Sequence, residues 1–269
     1  MLKSLEGLWR HRALALVLVS RELKARYRGS VLGFFWSLLN PLLMLAVYSV
    51  VFGFLFPARG AATSPYALFL FTGLLPWTWL SGSLTDASAS LTTHGALLKK
   101  ILFPAEVLPL VAVAAQGAHF LLALPVLGAG LALGAAGVLG RPVPLGWTLL
   151  QAVPLCLIEG VFAAGLGLFL AALTVHFRDV KDLLATSLTL WFFATPVLYA
   201  LDDIQPASLR AALLWNPATP LFEAWHDALF RAAWIAPERW ALLLALSLTA
   251  FLLGYALFDR LRDSFAEAV

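Results

Sequence analysis

Charge is what this sequence has least of. Of its 269 residues only 12% are Asp, Glu, Lys or Arg, while 61% are hydrophobic. Soluble domains carry roughly 25% charged residues, because charge keeps a water-facing surface solvated. Half that share leaves too little polar surface to cover a globule of this length, so the chain is expected to bury its exterior in lipid. Cysteine is nearly missing too. The single Cys156, set in an apolar run, excludes an intrachain disulfide and any zinc-ligand spacing, and reads as a small core residue.

Catalytic signatures are also missing. There is no G-x-x-x-x-G-K-[ST] phosphate loop, no H-E-x-x-H, no G-x-S-x-G and no acidic cluster of metal-ligand spacing. Leu80-Ser81-Gly82-Ser83 falls inside an apolar run, and Asp202-Asp203 stands with no basic or acidic companion nearby in the chain. No catalytic residue, bound metal or cofactor of its own is therefore expected. Ala13 to Val19 is apolar, but Ser20-Arg21-Glu22-Leu23-Lys24 follows instead of a small-residue cleavage site. That stretch reads as neither a secretory signal nor a span.

What is present is a series of long apolar runs. A helix needs about 20 apolar residues to cross about 30 Å of hydrocarbon. Six segments qualify: residues 31–56, 66–91, 107–133, 145–174, 183–201 and 241–258. The expected fold is an all-α integral membrane protein with six transmembrane helices. Alternating its connections puts Arg59, Arg141, Arg210, Arg231 and Arg239 on one side and the other thirteen of the 18 Lys and Arg on the opposite side. The positive-inside rule then places both termini in the cytoplasm. The net charge of +3 is thus a topology signal, and no nucleic-acid partner is expected.

Two segments depart from a plain bundle. Residues 1–28 read as a cytoplasmic amphipathic interface helix, and residues 29–269 as the six-helix domain. In the first, Trp9 and Leu16 share a side while Arg21, Lys24 and Arg28 recur at helical spacing, with Glu22 and Arg26 as an i, i+4 pair. The second departure, residues 202–239, is too polar to cross. Its short amphipathic stretches, broken at Asn216-Pro217 and Pro220, suit re-entrant or interfacial helices on the outer side and a candidate exit gate.

Small residues crowd spans three and four: Gly128, Gly130, Gly134, Gly160, Ala163, Ala164, Gly165 and Gly167. They suit close helix packing. Asp86, Gln116, His119 and Glu159 are polar residues at membrane depth. Each needs a partner or a wet cavity, since a charge at the bilayer centre costs about 2.5–3.5 kcal/mol on insertion scales.

Four motifs carry a family resemblance. The first runs Arg21-Glu22-Leu23-Lys24-Ala25-Arg26-Tyr27-Arg28-Gly29-Ser30-Val31-Leu32-Gly33-Phe34-Phe35-Trp36 and on to Pro41-Leu42. Leu97-Leu98-Lys99-Lys100-Ile101-Leu102-Phe103-Pro104, His176-Phe177-Arg178-Asp179-Val180, and Thr195-Pro196-Val197-Leu198-Tyr199 with Asn216-Pro217 follow in order. Together they resemble the permease subunit of polysaccharide-export ABC transporters, which move O-antigen, capsular polysaccharide or teichoic acid across the bacterial inner membrane.

The resemblance implies a homodimer bound to two copies of a cytoplasmic ATPase, which would carry the ATP and magnesium. It implies a coupling role for Leu97, Lys99, Lys100, Phe103, Arg178 and Asp179. A lipid-linked polysaccharide would pass aromatic rings, for which the candidates are Trp36, Tyr48, Phe69, Trp77, Phe192, Phe193 and Tyr199, with Phe34, Phe35, Trp79 and Trp191 beside them. The rival reading for each is interfacial anchoring. Arg26, Tyr27 and Arg28 would meet lipid headgroups, either guiding a substrate pyrophosphate or simply binding anionic lipid at about 1 kcal/mol per basic residue. Asn216 and Pro217 would mark the exit gate. The alternatives are an ABC permease for a drug, lipid or teichoic acid and, less favoured, a membrane glycosyl- or phosphotransferase.

Overall fold

The apolar runs become helices. The structure, a computed structural model, describes residues 12–26, 29–51, 63–95, 104–177 and 179–265. Within them the chain forms α1 (Arg12–Arg26), α2 (Trp36–Val50), α3 (Tyr66–Thr93), α4 (Val107–Ala135) and α5 (Ala152–His176). It continues as α6 (Val180–Phe193), α7 (Ala207–Leu214), α8 (Thr219–Leu229) and α9 (Pro237–Leu261). No strand occurs among the described residues; helices satisfy their backbone hydrogen bonds within one segment, as hydrocarbon demands.

Among the described residues four stretches are long and apolar enough to cross a membrane: Tyr66–Thr93, Val107–Ala135, Trp147–His176 and Pro237–Ser264. At about 1.5 Å per residue even the 28-residue α3 reaches about 42 Å. The first expected segment is described only in part, and the fifth forms a shorter helix. α2 has 15 described residues, and residues 52–62 lie outside those described. α6 has 14 and stops at Phe193, where the sequence suggested a run to residue 201. Thr195-Pro196 accounts for the stop, because the residue before a proline is pushed out of the α region. The chain then turns through residues 194–200.

α3 is the central helix. It packs against α4 and α5, and on its other sides against α2, α6 and α8. Its apolar window is 78% buried, against 28% for α9 at the periphery. Leu244, Leu248 and Leu252 form an exposed i, i+4 stripe on α9, the pattern expected of a lipid-facing surface. Trp147, Trp215 and Trp234 are exposed at one end of the bundle, where the amphipathic indole suits a membrane–water boundary.

The small residues do pack helices closely. A Cβ at Gly134 would lie 2.6 Å from Leu68, and one at Gly167 3.0 Å from Ala87. The tightest crossing pairs α5 with α9, where Gly165 faces Ala250 and Gly254 faces the Gly165 carbonyl. Gly254 was not among the positions that the sequence pattern singled out. α1 lies along α4; residues 1–11 of the expected interface helix fall outside the described residues, as do Tyr27 and Arg28.

Candidate functional site

The polar segment between α6 and α9 folds into α7, the Asn216-Pro217 turn and α8. Asn216 organises the turn. Its Oδ1 accepts from the Trp191 indole at 2.7 Å and from the Ala218 backbone at 3.0 Å. Its Nδ2 donates to the Ala194 carbonyl at 2.9 Å and to Thr195 Oγ1 at 3.0 Å. An Asn ahead of a helix commonly satisfies a free N–H in this way. Here one side chain also ties the end of α6 to the start of α8. Pro217 is exposed beside it.

α8 is buried along one face and charged along the other. Leu221, Phe222, Trp225, Ala228 and Leu229 sit in the main core, packed against α3 and α5. Glu223 and Asp227, one turn apart, clamp Arg231 at 2.7 and 2.8 Å, and Arg239 also pairs with Asp227. Burial alone would lower the Arg231 pKa, but bonds and charge from Glu223 and Asp227 outweigh it and raise the pKa above the ordinary value. Beyond α8, Gln151 donates to the Ala233 carbonyl and accepts from the Ile235 backbone, both at 2.9 Å.

Two polar side chains of α8 point inward. The Trp225 indole donates to Glu159 Oε2 on α5 at 2.7 Å. His226 lies 3.1 Å from Thr72 Oγ1 on α3 and 3.0 Å from the Pro196 carbonyl, with its ring stacked 4.1 Å above Phe69. All four side chains, Trp225, Glu159, His226 and Thr72, are 0% exposed. Sequence reading flagged Glu159 without a partner and passed over Thr72 and His226.

The aromatic candidates divide by location. Phe69 and Trp77 are buried within the subunit's own core. Phe69 underlies His226, and Trp77 packs on Trp191, Phe192 and Phe222 at centroid distances of 5.9, 5.4 and 5.7 Å. Tyr48, Phe192 and Tyr199 are half-buried, and Phe193 and Phe35 are exposed. Trp36 lines a cavity of about 480 Å³ between α2, α3 and α4, with Asn40, Trp79, Gln116 and His119. The membrane-depth polar residues find company: Gln116 donates to Asp86 Oδ2 at 2.6 Å. Asp202 also has a companion that its local sequence did not suggest, Arg210 at 2.5 Å.

At the opposite end, Leu97, Lys99, Lys100, Phe103 and Arg178 lie outside the described residues, and nothing is described of the Arg26 side chain. Asp179 is exposed, and its backbone carbonyl accepts from Leu183 in the first turn of α6. The described residues flanking the two expected coupling segments meet: Lys181 donates to Thr92 at 3.0 Å. Nearby, His94 contacts Glu22 of α1 at 3.6 Å, and His176 bonds Ser264 at 2.9 Å.

The sequence that builds this arrangement matches a known family. The model of the ABC-2 type transporter matches residues 13–230, from α1 to the end of α8. The chain belongs to the ABC-2 type transporter family. Among relatives of this ABC-2 transporter, the O-antigen export system permease protein RfbA of Myxococcus xanthus is 37% identical over 271 residues, covering 100% of both chains. Two proteins of the same name from Klebsiella pneumoniae are each 32% identical over 255 residues, covering 94% of both chains. The ABC-2 transporter is a membrane transport subunit and not a catalyst, with several apolar helices suited to a multi-pass protein.

Proposed function

We propose that this chain is the permease subunit of an ATP-driven exporter that carries lipid-linked, O-antigen-like polysaccharide across the bacterial inner membrane. The full-length likeness to permeases named for O-antigen export carries the reading. The architecture suits it: a mixed polar and apolar short helix, α8, is packed into one end of the bundle, where an exit would need a stopper. The enzyme alternative gains nothing from Asp202, whose carboxylate is paired with Arg210.

In this reading the chain crosses six times with both termini in the cytoplasm, α2 and α6 serving as spans one and five. Two copies face each other across the path, and each binds one copy of a cytoplasmic ATPase that holds ATP and magnesium. The permease itself binds no cofactor. Phe192, Phe193, Tyr199 and Tyr48 offer ring faces to sugar C–H groups while hydroxyls stay wet. Phe69 and Trp77 stand behind them as support. Arg26, Tyr27 and Arg28 meet lipid phosphate at the inner leaflet.

In this reading residues 97–103 take up force from the ATPase, and Arg178 and Asp179 pass it to α6. The contact of Lys181 with Thr92 supports this, because it joins the helix ends that flank both segments. Replacing Lys99 and Lys100 by Glu in the reconstituted complex is expected to abolish export while ATP hydrolysis continues. Export at the wild-type rate would refute the coupling role.

A further inference from the structure

Trp225 and His226 are consecutive, yet they bind opposite neighbours. Successive helical residues point about 100° apart, so Trp225 reaches α5 and His226 reaches α3. We propose that Glu159 with Trp225, and His226 with Thr72 and the Pro196 carbonyl, form a two-sided clasp that holds α8 closed across the exit and releases it when α6 moves. The proposal rests on the exporter reading above, with α7 and α8 as the outer gate. It makes Glu159 and His226 positioning residues and gives the intramembrane carboxyl a task.

The site is built for these contacts. Gly73 leaves a notch in α3: a Cβ there would stand 2.9 Å from His226 Cε1 and 3.3 Å from the Val197 carbonyl. Phe69 lies nearly parallel beneath the imidazole, at 8°. A carbonyl can only accept, so Nε2 carries the proton toward Pro196. Nδ1 of a neutral ring can then only accept, and the single Thr72 hydroxyl hydrogen is shared between Nδ1 at 3.1 Å and the Phe69 carbonyl at 2.7 Å. Pro196 lies in the turn three residues past the end of α6, so a displacement of that helix pulls on the bond to His226.

Simple packing does not call for this chemistry. Apolar side chains of similar volume at such buried positions are often at least as stabilising as a polar pair. Hydrogen bonds differ from apolar contact in being directional, made or broken over a small displacement. That property suits an element with two discrete positions. The grip on the α5 side is a single bond, since Glu159 Oε1 is buried with no hydrogen-bond partner. The Arg231 cluster lies on the other, partly exposed face of α8 and leaves the clasp free to act inside.

The test is passage of a small hydrophilic dye through proteoliposomes holding the intact complex, without ATP or substrate. Trp225→Phe removes the indole donor and keeps an aromatic ring; Thr72→Val removes the hydroxyl at constant shape. Each is expected to raise dye leak at least tenfold over wild type, and Glu159→Gln, which still accepts from Trp225, is expected to stay tight. A folded Trp225→Phe and a folded Thr72→Val that both remain tight would overturn the clasp, whatever their melting temperatures. Should either misfold, Gly73→Ala, which crowds His226, must leak, and a tight Gly73→Ala overturns the proposal. Export by the unmodified complex is measured alongside. Export with tight variants overturns the clasp alone, whereas no export overturns the reading on which it rests.

Discussion

The Trp191 indole donates to Asn216 Oδ1 across 2.7 Å, joining the last turn of α6 to the turn between α7 and α8. The bond makes the end of one helix and the start of the gate segment a single unit. It fastens the end of α7, which has no buried residues, to the bundle beside α8, which has many.

Asn216→Ala removes the partner of four hydrogen bonds. At about 0.5–1.5 kcal/mol net for each, a loss of about 2–6 kcal/mol is expected. Asn216→Asp keeps the bond from Trp191 but turns a second acceptor toward the Ala194 carbonyl, so it falls short of wild type. Thermal melting of the detergent-solubilised protein checks both; an unchanged Asn216→Ala melt would refute the tie.

Gly254→Ala is expected to force α9 away from α5, because its Cβ would overlap the Gly165 carbonyl. Overpacking costs about 1–3 kcal/mol, and more where backbone must shift. Gly128→Ala is the control, since no atom lies within 4 Å of its Cβ position. Folded yield should drop for the first and hold for the second. Equal yields would show that the two helices are not in close contact at Gly254.

Asp227→Asn weakens two ion pairs, with Arg231 and with Arg239. These side chains are 14–39% exposed, so the loss is expected between the surface and buried limits, at about 1–2 kcal/mol. Salt screens exposed pairs, so the gap between variant and wild-type melting temperatures should narrow from 0.05 M to about 1 M salt. A gap that widens with salt would contradict the electrostatic origin.

Single cysteines introduced after removal of Cys156 test the path of the chain. Positions 59, 141 and 210 should label with an impermeant reagent from outside. Positions 178 and 262 should label only after the membrane is opened. Outside labelling at 178 would break the six-span order.

Much of this was legible in the chain because periodicity and length report burial. Four of the six expected runs, the second, third, fourth and sixth, are spanning-length helices among the described residues, and Asn216-Pro217 breaks the polar segment where a turn was expected. What periodicity does not report is the partner. Thr72 and His226 lie 154 positions apart, and a threonine in an apolar helix commonly bonds its own backbone, as Thr72 also does to Phe69. Phe69 and Trp77 read as channel rings because an aromatic looks alike whether it faces a path or a core. Gly254 was passed over although Ala250 stands four positions before it, because its partner Gly165 is on another helix. Thr195-Pro196 was visible, but its effect on the end of α6 needed the backbone to show it.

The most direct test is reconstitution of the permease with its partner ATPase in liposomes carrying a lipid-linked polysaccharide, with outward transfer read by a lectin that cannot cross the membrane. The account predicts lectin binding that requires ATP, the ATPase and this chain together, and that stops when Lys99 and Lys100 are replaced by Glu. ATP hydrolysis by the intact complex with no polysaccharide transferred, or transfer with the chain left out, would contradict it.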